Sequence, residues 1–164
     1  MPEEPEFDGS VSFFVEGLPA PGGSKNAFAI KKRGIYTGRV AVVDAGGKRN
    51  KEWRYRVRTA AIRACLTPFS GAVKLEVTFF LPRPRSHYRT WKKERVIRES
   101  APLYHTHAPD ATKLLRSTED AMKAVAWFDD SQVVMQHITK QYEIRAQGTG
   151  ALIRITPVLD SCPK

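Results

Sequence analysis

Cysteine is nearly absent from this chain: among 164 residues only Cys65 and Cys162 carry a thiol. A disulfide framework is therefore excluded as the source of stability, and a reducing compartment is the expected setting. Long apolar runs are missing too. No stretch approaches the roughly 18 residues that a membrane-crossing helix needs. The segment Met1–Asp8 lacks the positive charge and apolar stretch of a secretory leader and is instead acidic, with two prolines. It predicts no export, hence a cytoplasmic protein. Internal repeats and low-complexity tracts are also lacking. Acidic residues are scarce: 17 Asp and Glu face 27 Lys and Arg, a formal net charge of +10. Such an imbalance attracts polyanions within roughly a Debye length, about 8–10 Å at physiological salt. Nucleic acid is the first partner to expect, with an acidic membrane surface and plain solubility as the competitors.

Apolar residues make up 41% of the chain and are spread along it, enough for one ordinary core. Residues 1–10 read as a flexible arm and residues 11–160 as the domain. Val11–Val15 has strand character, and the Pro/Gly-rich Gly17–Lys25 after it must be a loop. Ala27–Ile30 and Val40–Val43, separated by Lys31-Lys-Arg33 and a turn at Gly34, predict a hairpin that ends at Asp44–Gly47. Lys51–Cys65 is helical, with Trp53, Val57, Ala60, Ala61 and Ala64 on one face and Pro68 beyond its end. Val73–Leu81 is rich in β-formers and predicts a strand. Ser86–Pro109 is long, polar and basic, the kind of segment that is functional or partly helical. Ala111–Val125 predicts the second helix, Val133–Tyr142 and Ala151–Val158 two more strands. The order implies an α+β domain with a mixed sheet and two main helices.

Against the basic background, five of the 17 acidic residues fall in the 21 positions from Asp110 to Asp130. On a helical wheel Leu114, Leu115, Thr118, Ala121, Met122 and Val125 share the core-facing arc, while Lys113, Arg116, Asp120 and Lys123 lie opposite. Asp110 precedes the helix, and its plain reading is an N-cap. Asp129-Asp130 reads plainly as a turn. The other reading pairs them. Carboxylates held together repel and call for a cation, and a hard ion such as Mg²⁺ suits carboxylate oxygens while keeping water and open positions. Spacing alone does not decide whether the two stretches meet. His105-x-His107 admits a transition-metal reading, with a phosphate contact or a solvated loop favoured over it. The basic tracts Lys31–Arg39, Lys48–Arg58 and Arg83–Arg98 are expected to face DNA in part. Tyr36, Trp53, Tyr55, Tyr88 and Trp91 lie among these charges, either stacking on unpaired bases or packing in the core. The core is favoured for Trp53 and left open for Tyr88 and Trp91. Trp127 and Phe128 are expected to anchor the acidic turn.

The segment His107-Ala-Pro-Asp-Ala-Thr-Lys-Leu-Leu-Arg-Ser-Thr-Glu-Asp-Ala-Met122, followed by Trp127-Phe-Asp-Asp-Ser-Gln-Val-Val134, resembles the RusA family of Holliday junction resolvases. The opening Pro19-x-Pro21 and Gly23-Ser-Lys25 is similar to that family's first loop. The resemblance implies a RusA-like fold and a homodimer that resolves branched DNA by paired symmetric nicks, in recombination and repair, in a phage or bacterial host setting. It implies a Mg²⁺ ion, with Mn²⁺ as an alternative, at Asp110, Asp129 and Asp130. It also implies catalytic roles for Asp110, Asp130 and Arg116, and DNA contacts from Lys25, Lys113 and Arg116. Thr112 departs from the pattern, standing where the family has a second aspartate. That neutral residue keeps open an alternative: a junction-binding protein with weak or no cutting activity.

Overall fold

The computed structural model describes residues 9–23, 25–44, 47–65, 67–92, 94–144 and 147–159. Most of the expected N-terminal arm therefore lies outside the described residues. Four strands form the main sheet in the order β1 (Val11–Glu16), β8 (Gly150–Pro157), β4 (Val73–Leu81) and β7 (Val133–Tyr142). β8 runs antiparallel to both β1 and β4, whereas β4 and β7 are parallel. The sheet is mixed, as expected of the α+β class. Along β4 the residues Val73, Leu75, Val77, Phe79 and Leu81 are buried, and Lys74, Glu76 and Thr78 between them are half-exposed. This alternation marks a sheet with one covered and one solvated face.

Two helices, α1 (Gly47–Ala64) and α2 (Ala111–Met122), cover the buried face. α1 begins four residues earlier than the periodicity implied. Its inner face is Asn50, Trp53, Val57 and Ala61, so Ala60 and Ala64 lie at the margin rather than in the core. α2 buries Leu114, Leu115, Ser117, Thr118, Ala121 and Met122. It stops at Met122 instead of Val125, because Lys123 leaves helical geometry and Ala124 takes φ 62°. The helices are joined by polar contacts within the core. The Trp53 indole N–H donates to Thr118 Oγ1 at 3.2 Å, that hydroxyl donates to the Leu114 carbonyl at 2.9 Å, and Ser117 donates to Asn50. Buried hydroxyls and amides need such partners, so the pairing fixes how α1 and α2 register.

Two hairpins stand apart from this sheet. β2 (Lys25–Lys32) and β3 (Ile35–Asp44) form the expected first hairpin, with strands longer than the apolar runs alone indicated. The second, β5 (Tyr88–Trp91) and β6 (Glu94–Ile97), occupies the basic stretch that the sequence left without assigned structure.

Gly150 sits where β8 passes β1, and a methyl group there would collide with the Val15 carbonyl and the Phe14 ring. Gly150→Ala is expected to cost about 1–3 kcal/mol, read as a lower urea midpoint with an unchanged slope.

Candidate functional site

The crossover from β4 to its parallel neighbour β7 positions every candidate residue except Lys25, which begins β2. The crossover runs out through β5–β6, returns to Asp110, descends α2 and turns through Asp129-Asp130 into β7. Helix and strand thus run in opposite directions. Near the end of β7 the Lys140 ammonium donates to the backbone carbonyls of His107 and Pro109, just before α2. Midway along β7, the Gln136 side chain donates to Glu119 at 2.6 Å.

At the start of α2, Asp110 occupies the N-cap position but its side chain makes no capping hydrogen bond. The plain capping reading is corrected to that extent. Its exposed carboxylate faces the Lys113 ammonium at 3.3 Å. The loop after β1 lies along the same turns: the Gly22 amide donates to the Lys113 carbonyl at 2.9 Å. Gly23, at φ +80°, lets its backbone pass so close to Arg116 that a Cβ would stand 2.9 Å from Arg116 Cδ. Only glycine combines that torsion with that space. Lys25, two residues on, is exposed at the start of β2. The structure therefore gathers Asp110, Lys113 and Arg116 on the first turns of α2, with the loop that leads to Lys25 packed on them. Beside them opens a cavity of about 560 Å³, lined in part by Pro19, Pro21, Arg49, His105 and Pro109. Burial, reinforced by Lys140, pushes the His105 imidazole toward its neutral form.

Asp129 and Asp130 stand at the other end of the helix. Lys123 Nζ lies 3.2 Å from Asp129 and 3.5 Å from Asp130. The Trp127 indole donates to Asp130 at 3.0 Å. Asp129 caps a short 3₁₀ turn, Asp130–Gln132, accepting from the Ser131 amide while Gln132 accepts from the Asp129 amide. The Ser131 amide and then its hydroxyl, followed by Lys123, hold the Asp129 carboxyl down at about 2. Trp127 is fully buried and anchors this turn as expected, but Phe128 is 62% exposed and does not.

Twelve helical residues separate the two acidic positions, roughly 18 Å of axis. Asp110 does not join Asp129 and Asp130 within one chain. Among the described residues, no group of three His, Cys, Asp or Glu side chains is placed to hold a metal ion. His105 and His107 come together, with ring centroids 6.0 Å apart. They too belong to no such group.

The carboxylate that Asp130 does meet is one the sequence reading passed over. Glu119 is half-buried, and its carboxyl is pushed up by burial and then by the nearby Asp130 charge, with Gln136 opposing. On the helical wheel Glu119 borders the core arc, and no spacing rule reveals that β7 would present Gln136 to it. A carboxyl whose neutral form the fold favours weighs against stability once ionised. That penalty is absent below the ordinary glutamate range and grows as pH rises through the folded value. Glu119→Gln should therefore raise the melting temperature near pH 7, and the gain should vanish near pH 4, measured by thermal unfolding across pH.

A family model described as Endodeoxyribonuclease RusA matches residues 28–156, most of the chain. A protein of Bacillus subtilis (strain 168) described as "Uncharacterized protein YqaN" is 32% identical over 76 residues, 46% of this chain and 53% of that protein. The chain thus spans about half the length of the curated relative it matches.

Proposed function

The chain belongs to the RusA endodeoxyribonuclease family, and from that premise we propose that it is a structure-selective endonuclease that nicks branched DNA such as Holliday junctions. The single observation that carries the reading is the composition of the α2 start: an exposed carboxylate paired with Lys113, with Arg116 one turn on beneath a closely packed glycine loop. Phosphodiester hydrolysis adds water at phosphorus and expels the 3′ oxygen, leaving a 5′-phosphate end. Charge builds on the phosphoryl oxygens as it proceeds, and cations already in place there lower the barrier. Lys113 offers a point charge and Arg116 a planar fork suited to two phosphate oxygens. Lys25 extends the same surface. A bound Mg²⁺ would acidify the attacking water and steady the phosphate charge.

One chain alone does not fit that ion, because its carboxylates stand at opposite ends of α2. Two chains fit it better, which favours the homodimer. β7 is the outer strand of the sheet, and Leu103–His105 covers only its last residues, from Lys140 on. Along the open stretch, Val134 is 54% and Met135 52% exposed. An open edge of this kind is a template for another strand. Antiparallel pairing of two such edges sets the end of one β7 beside the start of the other. Since Asp110 lies by the end of β7 and Asp130 just before its start, each site would combine Asp110 of one copy with Asp129 and Asp130 of the second. Two equivalent sites about a twofold axis match paired nicks on a four-way junction. Work on recombining or damaged DNA, in a bacterial or phage setting, would place the protein in the cytoplasm.

The test is strand cleavage of a synthetic four-way junction in Mg²⁺. Asp110→Asn and Asp130→Asn should each lower nicking by about 100-fold or more, comparable to losing other charge-stabilising groups, while junction binding persists. Mixing the two variants should restore single nicks, because one of the two shared sites then regains both aspartates. Mixed variants that stay inactive would refute the shared site, and nicking by both single variants would refute the nuclease assignment of these residues.

A further inference from the structure

We infer that hairpin β5–β6 is a stacking wedge for unpaired DNA bases, with Trp91 as the residue that inserts. The inference takes its substrate class from the reading above but rests on separate residues. Tryptophan is ordinarily among the most buried side chains on average, and Trp53 and Trp127 follow that pattern at 1% and 0% exposure. Trp91 is 58% exposed at the tip of β5. Charged side chains flank it, with Glu94 its partner across the hairpin and arginines beside its ring and that of Tyr88. The Arg89 guanidinium lies 5.9 Å from its ring centre, and Arg95 lies 5.8 Å from the ring of Tyr88. Lys92 follows at the turn with φ 47°. Aromatic faces interleaved with guanidinium groups are what single-stranded nucleic acid recognises: the cations follow the phosphates while any base can stack on the ring.

The hairpin is held firmly at its base and free at its tip. His87 and His105 both pack on Tyr142, with ring centroids 4.8 Å apart, and the Arg83 guanidinium stacks on the same ring at 5.0 Å. Arg83 also donates to the Pro102 carbonyl at 2.9 Å, closing the neck of the excursion. The Arg98 guanidinium donates to the Tyr88 carbonyl at 3.0 Å. A rigid support matters, because a wedge that yields cannot hold bases apart. The location fits as well. β4 and β7 are parallel, so the exit from β4 into this hairpin lies at the same sheet end as Lys140 and the carbonyls it holds just before Asp110. Phosphates tracked by Arg89 and Arg95 would belong to the DNA that reaches the α2 start. A branch point, unlike a linear duplex, offers bases that unstack at little cost.

Trp91 is the one tryptophan of three that solvent reaches, so quenching of the intrinsic emission by a stacked base reports on it. In EDTA, where cleavage plays no part, the protein is titrated with a four-way junction, a gapped duplex and a linear duplex at matched salt. Quenching by the junction and the gapped duplex, and not by the linear duplex, is the expected result. Trp91→Phe should keep binding and lose the quench. Trp91→Ala, read by anisotropy of labelled DNA, should weaken junction binding by roughly tenfold or more and leave linear duplex binding and the melting temperature unchanged. Junction binding without quenching, or with full affinity in Trp91→Ala, overturns the wedge and leaves the nuclease reading standing. Quenching in EDTA, with the same junction left uncut once Mg²⁺ is supplied, supports the wedge and overturns the nuclease reading. Absence of junction binding overturns both.

Discussion

The packing of α2 between α1 and β7 is the constraint from which the remaining geometry follows. Two polar contacts within an apolar core set it, Trp53 to Thr118 and Ser117 to Asn50, with the Thr118 hydroxyl oriented by its bond to the Leu114 carbonyl of its own helix. A helix packed by methyl groups alone could slide by a turn at small cost. One whose hydroxyls must find named partners cannot, since each lost bond leaves a buried polar group unsatisfied at about 1–3 kcal/mol. Because α2 is locked in this register, Gly22 meets Lys113, Gly23 clears Arg116, and Gln136 meets Glu119. The surface chemistry is thus an outcome of the core.

That register also accounts for the separation of the carboxylates. A helix carries its two ends apart by its own length, and the turn after α2 feeds directly into β7 beside the helix C-terminus. No rearrangement of side chains returns Asp130 to Asp110. In the proposed dimer a second chain would bring the missing carboxylates, and the outer edge of β7 supplies a direction in which one can add. Strand direction alone then pairs unlike ends, which is the feature a shared site requires.

Elements with strong local signals were legible from the residues. Val73–Leu81 and Val133–Tyr142 match their strands residue for residue because β-branched and aromatic side chains dominate them. α2 was legible through the spacing of Leu114, Leu115, Thr118, Ala121 and Met122, but its end was not. Val125 is as apolar as the rest, and the chain turns at Lys123-Ala124 to bury Val125, Ala126 and Trp127 by another route. Hairpin β5–β6 was hidden because its strands are four residues each and mostly exposed, so no burial pattern marks them. For the candidate site, the residue types were readable and their distances were not. Glu119 was missed because its significance lies in Gln136 and Asp130, which are neighbours in space only.

Thr112 bears on how charge is distributed over this surface. Where the family pattern has a second aspartate, the first turn of α2 here has a neutral side chain, followed at once by Lys113 and then Arg116. The helix start is therefore one negative charge poorer than the pattern, at the end where the helix dipole already favours an anion. Phosphate approach is helped by that change and cation retention is weakened by it. The same reasoning explains why Asp110 is left to Lys113 rather than spent on a cap: an exposed carboxylate in a loose ion pair stays available to other ligands, whereas one committed to backbone amides does not.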